Sequence, residues 1–255
     1  MSTYMKMNKT WISSAHQGFV KEGVHQNTIA AYLLAAEKGA DMIETDERTT
    51  KDGIIVANHD PSVKAFNENG ELVEYVISET NYEDIAKLRF VKGGDDGCRV
   101  PTLKEVLHLA YFTGMCLNID LKEGITHAEE IAEIVVSSCM RGRVVYATNA
   151  SGAAAINKIL AIDPDARFID TKQNYTREKL ADVKDYANKC FVYTGDFSDE
   201  NIAEIRKSGC MLATISLNAD NAKAAFKHHP DMAEYPHTSD FEAIDKEILN
   251  AVKYW

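Results

Sequence analysis

The sequence predicts a closed (β/α)8 TIM barrel, with a doubly wound open sheet as the alternative fold. Short runs rich in β-forming residues recur along the chain, and helical patterns separate most of them. Strands that alternate with helices form parallel sheets. The 255 residues divide into eight units of about 32 residues, close to the roughly 250 residues of a typical barrel. The eight runs are Trp11 to His16, Met42 to Asp46, Met115 to Leu121, Arg143 to Ala147, Arg167 to Asp170, Cys190 to Thr194, Met211 to Leu217 and Met232 to Thr238.

The first helical segment shows the pattern that separates the strands. Asn27 is predicted to cap a helix that extends to Lys38, with Ile29 and Leu33 on its apolar face. Gly39 is predicted to end the helix, because glycine readily adopts the left-handed conformation found at helix C-termini.

A hairpin and a long loop excursion are predicted after strand two. The turn signal Asp52-Gly53 precedes a short apolar run, Ile54 to Ala57, which we interpret as a hairpin arm that leaves strand two. The following stretch from Asp60 to Val100 is long, polar and rich in glycine and asparagine. Long connections of this kind are usually functional, so we expect it to extend over the mouth of the barrel.

Composition excludes several classes of protein. No run approaches the roughly 20 apolar residues of a transmembrane helix. The 28 basic and 39 acidic residues give a net charge of −11, which opposes binding to nucleic acid or anionic lipid. The five cysteines form no CxxC pair, which argues against a disulfide framework and a thiolate zinc site. Neither GxGxxG nor a Walker loop is present, so nucleotide binding has no support.

We interpret residues 1–255 as one domain, because the chain contains no linker or low-complexity tract. The segment from Met1 to Trp11 lacks the apolar region and the cleavage site of a secretory signal, which favours a cytoplasmic location. A small-molecule ligand is expected, and the sequence does not indicate an oligomeric state.

Three carboxylates are predicted at the C-terminal ends of strands, where barrel active sites are built. Glu44 and Asp46 are two residues apart on a strand and therefore point to the same face. Asp120 ends strand three and adds a third oxygen donor. Such a set suits Mg²⁺ or Ca²⁺, which prefer carboxylate and water oxygens. The alternative is a solvated pair of surface acids, but the apolar residues that precede Glu44 favour the metal site.

Two histidines and a lysine are predicted at the same rim. His16 ends strand one and His59 follows the hairpin arm. Imidazole titrates near neutral pH, so this pair is suited to general acid and base catalysis. Lys122, on the same face as Asp120, offers a positive charge to an oxyanion such as phosphate. Structural histidines and a surface lysine are the alternative interpretation.

The remaining candidates carry weaker signals. We expect solvent-exposed roles for His25, in the loop before the first helix, and for His228 and His229, after a helical segment. His237 lies near the end of strand eight and could reach the mouth. The serines of strand one lack the Gly-x-Ser-x-Gly setting of a nucleophile elbow.

Several motifs in this order resemble the glycerophosphodiester phosphodiesterase family, and the similarity covers nearly the whole chain. The motifs are Ala15-His16-Gln17-Gly18, Gln26-Asn27-Thr28, Gly39-Ala40-Asp41-Met42-Ile43-Glu44-Thr45-Asp46, Thr50-Lys51-Asp52-Gly53, His59-Asp60-Pro61, Val100-Pro101-Thr102-Leu103, Leu117-Asn118-Ile119-Asp120-Leu121-Lys122 and Thr238-Ser239-Asp240. Together they are specific for the family.

The resemblance implies a (β/α)8 barrel that hydrolyses glycerophosphodiesters to glycerol 3-phosphate and an alcohol. It implies that His16 and His59 are the general acid and base, that Glu44 and Asp46 are metal ligands, and that Lys122 contacts phosphate. The implied cofactor is a divalent cation. Water or the glycerol hydroxyl of the substrate is the nucleophile, and the second route passes through a cyclic phosphate.

Four positions depart from the family pattern. Gln17 and Gln26 stand where the family usually has arginine and glutamate, and Asp120 stands where it mostly has glutamate. Gln17 remains our candidate substrate contact, with weaker or differently recruited phosphate binding, because it lacks the forked guanidinium. Ile215-Ser216-Leu217-Asn218 replaces a typical Trp-Thr-Val-Asn, so an aromatic wall of the pocket is expected to be absent.

These departures leave three hypotheses. The main one is a metal-dependent phosphodiesterase whose substrate is shifted from simple glycerophosphodiesters. The second is a catalytically impaired protein that binds phosphate or polyol ligands, motivated by Gln17 and Gln26. The third is a lyase that gives a cyclic phosphate, because Asp120 and the missing arginine are similar to the spider-venom sphingomyelinase D branch.

Overall fold

The structure, a computed structural model, describes residues 10–147, 152–170, 190–215, 219–237 and 244. Its strands are β1 (Ile12–Ala15), β2 (Met42–Thr49), β3 (Ile55–Ala57), β4 (Ser62–Phe66), β5 (Leu72–Val76), β6 (Cys116–Leu121), β7 (Val144–Ala147), β8 (Arg167–Asp170), β9 (Cys190–Thr194), β10 (Met211–Thr214) and β11 (Met232–Tyr235). Its α-helices are α1 (Ile29–Glu37), α2 (Tyr82–Ile85), α3 (Leu103–Thr113), α4 (Ala128–Ser137), α5 (Gly152–Ile162), α6 (Asp199–Lys207) and α7 (Ala219–Phe226).

Eight of these strands form a closed parallel barrel, which confirms the predicted fold class. The order around the barrel is β1, β11, β10, β9, β8, β7, β6 and β2. β1 pairs in parallel with both β11 and β2, so the sheet closes on itself. Closure excludes the doubly wound open sheet, because an open sheet leaves two strands unpaired on one side.

Alternation along β2 separates the barrel interior from its outer layer. Met42 packs in the interior cluster, whereas Ile43 packs in the cluster that joins the barrel to the helices. Because strand side chains alternate between faces, Glu44 and Asp46 share the interior face with Met42. Every residue from Met42 to Glu47 is buried. The barrel therefore carries its first two carboxylates inside the mouth, and the alternative of a solvated surface pair is wrong.

The predicted hairpin and loop excursion are both present. β3 pairs antiparallel with the extended end of β2, with Glu47 opposite Ala57. The excursion contains a second antiparallel hairpin, β4 and β5, together with α2. It has an apolar cluster of its own, which includes Val63, Ile77 and Leu88. The predicted polar loop is thus a small packed subregion beside the barrel mouth.

The predicted cap of the first helix and the predicted end of strand two both differ from the structure. The first helix is capped by Thr28, whose hydroxyl accepts a hydrogen bond from the Ala31 amide, so the prediction of Asn27 as the cap is wrong. Asn27 instead has a left-handed backbone, with φ 53°, and its side chain points to Asp46. β2 runs to Thr49, three residues beyond its predicted end, because β3 supplies an antiparallel partner.

Gly18, directly after β1, is required by both its backbone and its surroundings. Its φ is +86°, and an added Cβ would lie 2.8 Å from the carbonyl carbon of Ala31. We therefore expect Gly18→Ala to lower the free energy of unfolding by about 2 to 4 kcal/mol, measured by urea denaturation. Gly53→Ala is the matched control, because Gly53 has φ +82° but nothing within 4 Å of the added carbon. Equal losses in the two variants would contradict a steric cost at Gly18.

No helix among the described residues has the length and the apolar character that are needed to cross a membrane.

Candidate active site

The three predicted carboxylates meet inside the mouth of the barrel. Asp46 of β2 lies directly beside Asp120 of β6 in the parallel register. Oxygen atoms of Glu44, Asp46 and Asp120 all lie within 4.8 Å of one another, and all three residues are buried. We call these three residues the acidic triad. Its close spacing follows from two neighbouring strands that end at the same level.

Lys122 neutralises part of the acidic triad. Its Nζ lies 2.9 Å from Asp46 Oδ1 and 2.7 Å from Asp120 Oδ2. Burial lowers the pKa of Lys122, but the two carboxylates outweigh burial and raise it above the ordinary value. Burial likewise raises the pKa of Asp46, whereas Lys122 and the hydrogen bond from Asn27 outweigh it and lower the pKa. Lys122 and Asp46 are therefore both ionised at neutral pH.

Glu44 has the opposite electrostatic setting. Burial raises its pKa well above the ordinary range, and the negative charges of Asp46, Glu234 and Asp120 raise it further. A carboxyl in this position retains its proton unless positive charge approaches it. The acidic triad thus places three hard oxygen donors close together, and Lys122 balances only part of their negative charge. This donor set fits a divalent cation such as Mg²⁺ or Ca²⁺.

Two amide side chains orient Asp46. Gln17 Nε2 donates to Asp46 Oδ2 at 2.7 Å, and Asn27 Nδ2 donates to the same oxygen at 2.6 Å. The Gln17 backbone amide also donates to Glu44 Oε2 at 2.9 Å. Gln17 is only 3% exposed, so its side chain contacts the acidic triad and not the open mouth. This position favours a role for Gln17 in orienting Asp46. A contact between Gln17 and the substrate stays a prediction.

A hydrogen-bonded chain supports Asn27 from outside the barrel. The Tyr32 hydroxyl lies 2.9 Å from Asn27 Oδ1 and 2.8 Å from Thr45 Oγ1. Thr45 Oγ1 in turn donates to Glu47 Oε1 at 2.9 Å. Burial raises the pKa of Glu47 to about 8, against the opposing effect of Thr45. Sequence analysis did not identify Tyr32, Thr45 or Glu47, because their roles depend on packing between β2 and α1.

His16 lies at the rim beside the acidic triad. Its Nε2 is 4.0 Å from Glu44 Oε2, and its side chain is 40% exposed. Burial lowers the pKa of His16 to about 4, the charge of Asp46 opposes this shift, and His237 and Lys122 add to it. His16 is therefore neutral at pH 7. The ring of His237 stacks at 6.2 Å from the ring of His16, so His237 does reach the mouth.

His59 lies in the segment after β3, the strand that pairs with the end of β2. Its Nδ1 lies 2.8 Å from Asp60 Oδ1, and its carbonyl accepts hydrogen bonds from Arg48 Nε at 2.9 Å and Nη2 at 2.6 Å. With Nδ1 bound to Asp60, Nε2 is the ring nitrogen that is available to a substrate. Arg48 holds the backbone of this segment against β2.

Buried polar residues deeper in the barrel were not identified from sequence. The Tyr193 hydroxyl donates to Glu234, and Asn118 Nδ2 lies 3.5 Å from the Tyr193 oxygen. Burial raises the pKa of Glu234 to about 7, the hydrogen bond from Tyr193 opposes the shift, and Asp120 raises it further. The sequence signal that could have identified Glu234 is an acidic residue within the otherwise apolar run Met232–Tyr235.

The other predicted positions lie away from the acidic triad or outside the described residues. His25 stacks on Phe90 with ring centroids 3.9 Å apart. His228 binds the Phe197 carbonyl through Nε2 at 2.8 Å. The motif that begins at Ile215 continues into 216–218, and the motif at 238–240 follows β11; both of these ranges lie outside the described residues.

The family model that matches this chain is the glycerophosphoryl diester phosphodiesterase family, over residues 16–221. A glycerophosphodiester phosphodiesterase of Caldanaerobacter subterraneus is 37% identical over 127 residues, which cover 49% of this chain and 50% of that protein. One from Bacillus subtilis is 24% identical and covers 87% of this chain and 84% of that protein. The first curated relatives match this chain over about half of their own length.

Solved structures support the same fold. A glycerophosphodiester phosphodiesterase from Agrobacterium tumefaciens has a TM-score of 0.72 at 20% identity and covers 91% of this chain and 99% of that one. A phosphodiesterase from Oleispira antarctica, solved in complex with the product sn-glycerol-3-phosphate, has a TM-score of 0.70 at 20% identity and covers 95% and 96% of the two chains. Because the family model covers most of the barrel and the folds agree, the chain belongs to the glycerophosphoryl diester phosphodiesterase family.

Proposed function

We propose that this chain is a metal-dependent phosphodiesterase that hydrolyses a glycerophosphodiester to glycerol 3-phosphate and an alcohol. The observation that carries the proposal is the arrangement at the barrel mouth. The buried acidic triad contacts Lys122 and lies beside His16, and His59 follows β3, which pairs with the strand that carries Glu44 and Asp46. The family of the chain and the product-bound phosphodiesterase of Oleispira antarctica support this class of substrate.

Glu44, Asp46 and Asp120 would hold the divalent cation. When bound there, such an ion neutralises charge on phosphoryl oxygens and so favours attack at phosphorus. Gln17 and Asn27 keep Asp46 in place through their hydrogen bonds to its Oδ2. Lys122 supplies a point charge that is available to a phosphate oxygen once a cation has taken over part of its interaction with the carboxylates.

We assign the two proton transfers to different histidines. His16 is neutral at pH 7, since burial lowers its pKa to about 4, and it therefore accepts a proton from the nucleophile. His59, whose Nδ1 contacts the carboxylate of Asp60, gives a proton from Nε2 to the departing alkoxide. Two titratable groups in different environments are the usual basis of an acid and base pair.

Phosphorus NMR tests the proposed function. The protein is incubated with glycerophosphocholine, glycerophosphoethanolamine, glycerophosphoglycerol or a lysophospholipid, each with Mg²⁺ or Ca²⁺. We expect a phosphomonoester signal that disappears with EDTA and in His16→Ala. A cyclic phosphate that does not advance to the monoester would replace hydrolysis with the lyase reaction. No product from any substrate, in a protein that still binds them, would indicate the catalytically impaired alternative.

A further inference from the structure

A cavity of about 240 Å³ lies between the barrel mouth and the hairpin of β4 and β5. At its inner end it is lined by Asn27, which binds Asp46, and by His59. At its outer end it is lined by Ser62, Lys64 and Glu74 of the hairpin. We call this space the hairpin cavity. It adjoins the proposed catalytic site through Asn27 and His59.

We propose that the hairpin cavity binds the alcohol part of the substrate and prefers a head group with a primary ammonium over one with a quaternary ammonium. The inference rests on the proposed function and extends it to substrate selection. A general acid must lie within hydrogen-bond reach of the oxygen that it protonates. Because His59 lines the hairpin cavity, the alcohol that His59 protonates departs into that space.

Carboxylates of the hairpin cavity supply acceptors for an ammonium group. Ser62 Oγ donates to Glu74 Oε1 at 2.6 Å, and Glu74 Oε2 receives no hydrogen bond from any described residue, although Lys64 lies opposite Glu74 in the hairpin and also lines the cavity. Asp60 Oδ1 contacts His59 and adds a second negative charge to the same wall. A primary ammonium has three N–H donors and can satisfy such acceptors directly. Hydrogen bonds to charged groups are the strong ones, so this contact favours ethanolamine.

A quaternary ammonium has no N–H donors, and the lining of the hairpin cavity offers it few aromatic rings. Such cations are recognised by the open faces of aromatic rings. Phe90 is the only phenylalanine, tyrosine or tryptophan among the described residues that line the cavity. His25 lies parallel to the Phe90 ring, with centroids 3.9 Å apart and an interplanar angle of 4°. One face of Phe90 is therefore covered, which leaves choline at most one aromatic face of this ring.

The hairpin also offers a matched control. Glu74 and Glu71 are both exposed glutamates of this region, but Glu71 contacts Asn67 and does not line the hairpin cavity. Glu74→Gln and Glu71→Gln therefore remove the same charge from the same hairpin. Only the first removes it from the cavity wall, so a comparison of the two separates local recognition from the general effect of charge.

Turnover and binding together test the inference. We expect kcat/KM for glycerophosphoethanolamine to exceed that for glycerophosphocholine by about two- to fivefold, the usual contribution of a charge pair at an exposed site such as Glu74. Glu74→Gln should reduce this ratio to near one, whereas Glu71→Gln should preserve it. A wild-type ratio near one, or equal effects of the two variants, would overturn the inference.

A second measurement keeps this result separate from the proposed function. Dissociation constants for glycerophosphoethanolamine and glycerophosphocholine are measured by isothermal titration calorimetry with Mg²⁺ in the His16→Ala background, where little turnover is expected. Tighter binding of the ethanolamine compound, lost in Glu74→Gln, would support the cavity even if no substrate were hydrolysed. Glycerophosphoglycerol turnover reports on the hydrolase activity alone, so each proposal can fail without the other.

Discussion

Removal of the divalent cation should lower turnover by at least about 10³-fold. A bound cation contributes several kcal/mol of charge stabilisation to phosphoryl transfer, and each 1.4 kcal/mol or so corresponds to a factor of ten in rate. The acidic triad is buried, so without the ion a phosphodiester anion would approach a negatively charged cluster that Lys122 only partly neutralises. The measurement is the rate of phosphomonoester formation with Mg²⁺, with Ca²⁺ and with excess EDTA.

Asp120→Asn tests the same site by substitution. The change keeps the side-chain volume and leaves the contact between Lys122 and Asp46, so we expect the barrel to fold. Metal affinity, measured by isothermal titration calorimetry, should fall by at least about 100-fold, because the loss of a ligand should cost no less than the loss of an outer-shell partner. Asp163→Asn is the control, since Asp163 is also buried but pairs with Arg141 outside the site. Undiminished turnover in excess chelator would contradict the prediction that catalysis requires a cation at the acidic triad.

Metal binding should also release protons. The pKa of Glu44 is raised by burial and by the neighbouring carboxylates, so this group holds a proton at pH values where an ordinary carboxyl is ionised. A metal ligand must be deprotonated, and metal affinity should therefore rise with pH. Calorimetry in buffers of different ionisation enthalpy measures the number of protons released. A pH-independent affinity would show that Glu44 does not bind the ion.

His16→Ala and His59→Ala should each lower kcat by about 10²- to 10⁴-fold. This is the usual contribution of a general acid or base, the roles that we propose for these two side chains. Both are partly exposed, so their removal should leave stability nearly unchanged. The measurement is kcat under saturating substrate and metal, together with the urea midpoint of each variant.

A third histidine provides the control for these two variants. His108 is exposed on α3 and stacks against Phe112, away from the barrel mouth. His108→Ala should keep wild-type kcat. If His59→Ala also kept wild-type kcat, the assignment of His59 as the proton donor would be wrong. The argument that places the departing alcohol in the hairpin cavity would then fail, because it depends on that assignment.

Residues whose role depends on their own strand could be predicted from sequence. The spacing of Glu44 and Asp46 placed them on one face, and their position after an apolar run placed them at a strand end. Asp120 and Lys122 end the next parallel strand, and parallel strands end at the same rim. Local rules were sufficient there, because strand periodicity and the barrel topology together define which side chains converge.

Contacts that depend on a distant partner could not be read from the sequence. Asn27 has the sequence setting of a helix cap, yet its side chain donates to Asp46, nineteen positions along the chain. Gln17 similarly turns to Asp46 and not toward the open mouth. Glu234 was not identified, because its proximity to the acidic triad arises only when β11 closes against β1.

Chain-local patterns were thus enough to establish the alternation of strands and helices, the hairpin after β2, and the residue types at the barrel mouth. Tertiary structure alone decided which group binds which: the ion pairs of Lys122, the amides on Asp46 and the wall of the hairpin cavity. The physical reason is that periodicity and turn chemistry act over a few residues. Hydrogen bonds, burial and charge coupling depend instead on strand register and barrel closure, which bring distant segments together.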